Sequence, residues 1–148
     1  MTKSVVFFVT FFSIAVQAQL AGNWVGWGTW KFKGEGEGVR CSPMQMQWSE
    51  AKNKIAIEKG YFDCELVALH LDRTEWQIKD GKLFDSENKE VGTYDGKNLT
   101  VGFSSGYENT SVIVKLKREA NHYDYQEIWY NPNEKVYVIE GRLFTSGN

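Results

Sequence analysis

The residues able to do chemistry are few and are not grouped. His70 and His122 are the two histidines of this 148-residue chain. Catalysis or metal binding would need convergent carboxylates, a nucleophile or further ligands near a histidine, and no motif supplies them. Asp124 and Glu127 fall on opposite faces of their predicted strand, so these two carboxylates cannot act together. We therefore expect no enzyme, no metal site and no cofactor, and we interpret both histidines as structural or surface residues.

The two cysteines, Cys41 and Cys64, indicate a disulfide and not a metal site, because no Cys or His lies at ligand spacing from either one. Residues 44–48 and 54–58 alternate between apolar and polar side chains, which predicts a hairpin turning at Lys52 and Asn53. In that register Cys41 lies directly opposite Cys64, close to disulfide distance. Such a bridge would stabilise the fold by about 3 kcal/mol.

A helix starting at Pro43 is the alternative for this part of the chain. Met44, Trp48, Ala51 and Ile55 also fit one helical face. We favour the hairpin because two short alternating runs account for more residues than one helix does. The hairpin register places Trp48 opposite Ile57 and Met44 opposite Tyr61.

Residues 1–18 have the pattern of a signal peptide. Lys3 provides the positive region, an apolar run covers 5–16, and Val16-Gln17-Ala18 fits a cleavage site. The run is shorter than the roughly 20 residues needed to cross a bilayer. A buried N-terminal strand is the alternative. Position 23 is Asn, where a lipoprotein box would need Cys, so we expect a secreted or periplasmic protein without a membrane anchor.

The remaining residues, 19–148, are mildly acidic and of single-domain size. Residues 1–18 hold one lysine and no acid, so 16 basic and 19 acidic residues remain, a net charge of −3. There is no basic stripe that could follow a phosphate backbone, which argues against nucleic acid as a partner. A domain of this size buries roughly two-thirds of its unfolded surface. No Pro- or Ser-rich linker interrupts it, so we expect one monomeric domain.

A succession of short strands fills this domain. Residues 22–32 alternate between the two faces of an extended strand. Five of them share one face: Trp24, Gly26, Gly28, Trp30 and Phe32. Beyond the hairpin we predict strands at 66–71, 75–79, 82–84, 90–94, 98–103, 111–117, 123–130 and 135–144, with tight turns at Asp80-Gly81 and Asp95-Gly96. The regular spacing and short connections predict an all-β fold, a single antiparallel up-and-down barrel of about eight to ten strands.

Three residues carry a resemblance to a known family. Gly22-Asn-Trp24 near the start of the domain, together with Arg142 in the last strand, resembles the lipocalin pattern of the wider calycin superfamily. The resemblance implies that Trp24 plugs the closed end and that Arg142 crosses over it in a cation–π contact. The chain lacks an obvious lid loop after the first strand and a C-terminal helix, so it is similar to compact, bacterial-type members. The family's function implies a small hydrophobic ligand.

Aromatic residues are the most informative feature for function. Eighteen of the 22 aromatic residues lie in the domain. They either fill the core or line a pocket at the open end, in which case the ligand-binding residues would be Trp30, Met46, Trp76, Tyr125 and Tyr137. Trp27, on the other face of its strand, would be exposed and with Val25 could form a protein-binding patch.

We therefore predict an exported lipocalin-like protein that binds a small hydrophobic or amphipathic molecule in its barrel. The alternative is a protein-interaction module or inhibitor with a filled barrel and no small-molecule ligand. The two predictions differ in whether the barrel contains accessible space.

Overall fold

Antiparallel strands form the framework of the protein. The computed structural model describes residues 20–106, 109–132 and 134–146, so the predicted signal peptide, 1–18, lies outside the described residues. The strands are β1 (Gly22–Phe32), β2 (Val39–Ala51), β3 (Lys54–Cys64), β4 (Val67–Leu71), β5 (Thr74–Lys79), β6 (Lys82–Phe84), β7 (Glu90–Tyr94), β8 (Leu99–Ser104), β9 (Ser111–Arg118), β10 (Tyr123–Asn131) and β11 (Glu134–Thr145). The described residues contain no helix with the length and apolar character needed to span a bilayer.

The strands follow one another around a closed ring. β1 pairs with both β2 and β11, β2 pairs with β3, and the strands from β5 to β11 pair in chain order. β4 and β5 share one edge of β3, so the eleven segments occupy ten positions around the ring. This confirms the predicted antiparallel up-and-down barrel. Closure gives most strands a hydrogen-bonding partner on each side.

Glycines let β1 pack closely against β11. Gly28 lies opposite Gly141, and a Cβ atom on either residue would lie 2.8 or 2.7 Å from Sδ of Met44. A Cβ atom on Gly26 would overlap the backbone oxygen of Arg142. The missing side chains on the inner face of β1 therefore make room for Met44 and for the neighbouring backbone. Here the glycines allow tight packing.

The β2–β3 hairpin is confirmed, and so is its disulfide. Cys41 and Cys64 are directly opposed and bonded to each other. Trp48 lies opposite Ile57 as predicted, but Met44 lies opposite Phe62 instead of Tyr61. An irregularity between Gln47 and Trp48 shifts the register by one residue, and a second one between Cys41 and Met44 shifts it back. The two shifts cancel, which is why the simple register still predicted the disulfide.

Trp24 is buried inside the barrel, but the cation beside its ring is not Arg142. Trp24 is 3% exposed and donates a hydrogen bond from Nε1 to the backbone oxygen of Leu20 at 2.8 Å. The guanidinium of Arg118 lies 5.5 Å from the Trp24 ring and 5.0 Å from the Tyr123 ring. The cation that contacts the Trp24 ring therefore comes from β9.

The predicted Trp24–Arg142 contact is wrong because of strand register. Arg142 pairs with Trp27 on β1 and with Asp124 on β10, so its side chain is on the outer face. Its Nε lies 3.8 Å from Asp124, and the side chain is 64% exposed. Since side chains alternate across a strand, a residue in register with Trp27 cannot reach Trp24 inside the barrel.

Candidate functional site

The five residues predicted to line a pocket do not surround one space. Met46, Trp76 and Tyr125 are at most 2% exposed and belong to the buried core. Trp30 and Tyr137 are partly buried, and their ring centroids lie 5.7 Å apart at the opposite end of the barrel from Trp24. The structure therefore places three of the predicted residues in the packed core and brings the other two, Trp30 and Tyr137, into contact at its margin.

Aromatic side chains cross the interior and meet. Phe62 of β3 and Tyr125 of β10 are in edge-to-face contact with ring centroids 5.3 Å apart. The rings of Trp76 on β5 and Phe103 on β8 lie 5.6 Å apart. Contacts between such distant strands fill the middle of a barrel with side chains. This packing agrees with the core-filling interpretation of the aromatic residues.

Glu127 is a functional candidate that the sequence reasoning passed over. Its carboxylate is buried, accepting hydrogen bonds from the Tyr125 hydroxyl and from Nε1 of Trp129. Burial raises the pKa of Glu127, and the two hydrogen bonds oppose this rise. The signal was available in the sequence, because Glu127 alternates with Tyr123, Tyr125 and Trp129 and must share their inner face.

The barrel wall has an opening between β4 and β8. β4 pairs with β3 alone among the described strands, and β6 is only three residues long. A cavity of about 340 Å³ lies at this opening, bordered by Leu71 and Thr74 on one side and by Phe103 and Trp129 on the other. Trp129, on the border of this cavity, also contacts Tyr137, with ring centroids 5.0 Å apart.

A larger cavity lies outside the barrel, across β1, β2, β3 and β4. We call it the outer groove; its volume is about 580 Å³. One row of directly opposed residues crosses it, running from Val25 through Gln45 and Tyr61 to His70. A second row runs beside the first, from Asn23 through Gln47 to Lys59, and Asp72 and Ser146 complete the rim.

The register irregularities shape this groove. β2 and β3 depart from regular pairing on each side of the Gln45–Tyr61 pair. On the other edge of β3, the break between β4 and β5 leaves Glu58 and Lys59 without a paired residue. Bulges bend the strands and increase their local twist. We attribute the concave outer surface to this bending, since a regular barrel presents a convex outside.

A stacked aromatic pair, of which Trp27 is exposed, adjoins the groove. Trp27 is 54% exposed and stacks on Phe144, with ring centroids 5.1 Å apart and planes 20° apart. Phe144 lies opposite Val25, which belongs to the groove, and its ring also contacts His122 at 5.3 Å. The predicted exposure of Trp27 is therefore confirmed, and apolar surface continues from the groove to this pair.

A cluster of ion pairs borders the groove on the side of the hairpin turn; we call it the ionic cluster. Arg73 donates to Glu58 at 2.9 Å and to Glu75 at 2.8 Å, and Lys54 donates to Glu75 at 2.8 Å. The hydroxyl of Ser49 also donates to Glu58. These contacts lower the pKa of Glu58, mainly through Ser49, and the pKa of Glu75, mainly through Lys54. At this boundary the outer face of the barrel therefore changes from charged side chains that pair with one another to the concave surface of the groove.

No group of three or more His, Cys, Asp or Glu residues within 20–106, 109–132 and 134–146 is placed to hold a metal ion. No protein-family model matches this chain, and no curated protein is similar to it. The case for a function therefore depends on the geometry of the outer groove and of the barrel interior.

Proposed function

We propose that this protein is an exported, non-enzymatic interaction module with a lipocalin-like barrel, which binds its partner on the outside through the outer groove. The observation that carries the proposal is the contrast between the interior and the outer wall. Phe62, Tyr125 and Trp76 fill the interior, whereas the outer groove offers about 580 Å³. Binding sites are concave surfaces with a few polar groups among apolar ones.

Two further observations support an exported binding protein. The Cys41–Cys64 disulfide is a kind of bond that persists in oxidising compartments outside the cytosol. Trp27, which stacks on Phe144 beside the groove, is exposed, and aromatic residues are enriched where proteins bind each other. A partner covering the groove could bury this pair as well.

Chemical-shift mapping with a library of small organic fragments tests the proposal. We expect the shifted amides of the ¹⁵N-labelled protein to gather at Gln45, Gln47, Tyr61 and His70, since a groove that binds also takes up small probes. The variant Gln45→Trp should fill the groove and remove these shifts. The matched control is Gln77→Trp, on the exposed outer face of β5, which should leave them unchanged. Shifts confined to Trp30, Trp129 and Tyr137 would contradict the proposal.

A second function is a small amphipathic ligand bound at the wall opening. The buried Glu127 carboxyl favours it, because Trp129 both donates a hydrogen bond to Glu127 and borders the cavity of about 340 Å³. Phe103 adds an apolar wall, and the Trp30–Tyr137 pair lies nearby. Aromatic walls with few polar groups suit such ligands.

Native mass spectrometry followed by organic extraction tests this second function. A co-purifying small molecule, lost in the variant Phe103→Glu, would support it. No adduct, together with unchanged tryptophan fluorescence across fatty acids and retinoid-like probes, would exclude it.

A further inference from the structure

The outer groove contains polar side chains that have no protein partner. The amides of Asn23, Gln45 and Gln47, the ammonium of Lys59 and the carboxylate of Asp72 make no hydrogen bond or ion pair with any part of the chain that the structure describes. The neighbouring ionic cluster differs from the groove, because Arg73 forms ion pairs with both Glu58 and Glu75. The groove is therefore a concave site whose hydrogen-bonding groups remain available to a ligand.

The kinds of group present indicate the chemistry of that ligand. Gln45 and Gln47 each have an amide oxygen that accepts hydrogen bonds and an amino group that donates two. Each side chain can therefore accept a hydrogen bond from one hydroxyl group and donate one to another. The two glutamines lie two positions apart on β2, so their side chains point to the same outer face, and both border the groove. A ligand rich in hydroxyl groups matches this pair.

Aromatic rings provide a flat apolar surface beside the amides. Tyr61 is partly buried, and its ring lies 5.1 Å from the ring of His70 at an angle of 47°. A sugar ring has one face of C–H groups that packs on an aromatic ring and a rim of hydroxyls that needs amide partners. Tyr61 lies directly opposite Gln45, so both kinds of contact are available to one ring.

The charge of the groove favours a neutral ligand. Lys59 and Asp72 are the one cation and the one anion of the lining, apart from His70, and their formal charges cancel. A phosphate, a sulfated sugar or a fatty acid would leave the Asp72 carboxylate facing a like charge, which is unfavourable. Uncharged hydroxyl groups can bind both side chains.

We propose that the outer groove binds a neutral sugar ring, presented either by a free oligosaccharide or by a glycan on a partner protein. This inference rests on the proposed function, because it names the chemistry that the same groove would recognise. The groove volume lies within the range of about 300–1,000 Å³ found for small-molecule sites.

The test is a titration of the ¹⁵N-labelled protein with neutral methyl glycosides of gluco, galacto, manno and N-acetylglucosamine configuration and with their trisaccharides. We expect at least one to shift the amides of Gln45, Gln47 and Tyr61, with a Kd of about 1 mM or tighter. Gln45→Ala and Tyr61→Ala should each weaken binding about tenfold, equivalent to about 1.4 kcal/mol. Gln77→Ala, on the outer face of β5, is the control and should bind normally.

A second arm distinguishes the two sources of the sugar. Ovalbumin before and after enzymatic deglycosylation serves as the glycoprotein probe. Binding of the glycosylated form that the trisaccharides compete away indicates a glycan on a protein, whereas binding of free trisaccharides alone indicates an oligosaccharide. If no neutral sugar at about 10 mM shifts the groove amides, or if Gln45→Ala and Tyr61→Ala bind as well as the wild type, the inference is overturned. Fragment binding in the groove would then still support the proposed function, so the two can fail separately.

Discussion

The ionic cluster and the outer groove are neighbours on one sheet face, but they differ in whether their polar side chains have partners within the protein. In the ionic cluster Arg73 pairs with Glu58 and Glu75, and Lys54 also pairs with Glu75, so two cations balance two carboxylates. In the groove Gln45, Gln47 and other polar side chains have no partner within the described residues. Paired side chains have little to offer a ligand, whereas unpaired ones in a concave site do. This difference separates a surface that supports folding from one available for binding.

The two regions also differ in what holds their strands together. Beside the ionic cluster, the hairpin closes at the turn between β2 and β3. Beyond the groove, the same two strands are joined by the Cys41–Cys64 disulfide. The groove thus lies between a tight turn and a covalent bond. A site whose polar groups are unpaired can stay in shape because the strands beneath it are fixed at both ends.

The largest expected effect concerns this covalent bond. The double variant Cys41→Ala/Cys64→Ala should lower the free energy of unfolding by about 3 kcal/mol, because the open chain gains conformational entropy when unfolded. Urea denaturation measures this, and wild-type protein unfolded with reductant is the matched control. Hydrogen exchange should increase at residues 41–47 and 59–64, near the groove, more than at the ionic cluster. Equal midpoints for wild type and variant would contradict the prediction.

The next effect concerns a polar group inside the barrel, Glu127, which is paired only by uncharged donors. Burial raises its pKa above the ordinary value of 4.5, so the carboxyl binds its proton more tightly in the folded protein than in the unfolded chain. This contribution to stability is fully present below the pKa of the unfolded chain and is lost as the pH rises through the raised pKa of the folded protein. The loss is about 1.4 kcal/mol for each unit by which the pKa is raised.

Glu127→Gln removes the titrating group while keeping a carbonyl acceptor for Tyr125 or Trp129. We expect the variant to lose less stability than the wild type between pH 5 and pH 8, which urea denaturation at both pH values can measure. Exposed carboxyls with lowered pKa, such as Glu58 and Glu75, have the opposite dependence but are common to both proteins. An identical pH dependence of the two proteins would rule out a raised pKa for Glu127.

A smaller effect is expected in the ionic cluster. Arg73→Ala removes two ion pairs at once and should lower the melting temperature slightly, because exposed ion pairs contribute little to stability. High salt should remove the difference from the wild type by screening the charges. Gln77→Ala, on the outer face of β5, provides the uncharged control. A difference that persists unchanged in 1 M salt, about ten times the usual ionic strength, would show that the pairs do not act electrostatically.

The smallest effect on stability is expected in the groove itself. Gln45→Ala should change the free energy of unfolding by less than about 0.5 kcal/mol, because its amide has no partner to lose. The same substitution should nevertheless weaken ligand binding, whereas Arg73→Ala should change stability and leave binding unaltered. Paired measurements of denaturation and of groove chemical shifts on both variants check this reversal. A clear loss of stability in Gln45→Ala would remove the distinction between the two regions.

Much of the fold could be predicted because its signals are local. Alternation along β1 placed Trp24 inside and Trp27 outside, and Asp-Gly dipeptides located two of the turns. The disulfide followed from counting residues outward from the hairpin turn. The same alternation separated Glu127 from Asp124, and it also places Glu127 on one face with Tyr125 and Trp129.

The parts that could not be predicted depend on how separate strands are offset. The expected contact of Trp24 with Arg142 was wrong because the register between β1 and β11 places Arg142 beside Trp27. Whether Gly28 leaves a cavity depended on Met44, which reaches it from another strand. Neither offset is encoded by a pattern within one strand.

By itself, the sequence therefore determined the all-β class, the strands, the disulfide and the inward or outward direction of most side chains, because period-two alternation and turn residues act over a few positions. Only the tertiary structure decided what fills the barrel and where a ligand could bind. The outer groove unites residues from β1, β2, β3 and β4, and the register between β2 and β3 shifts on each side of it. A one-residue shift moves a side chain several ångströms and redirects it, so such a site is created by the packing of strands and not by any one of them.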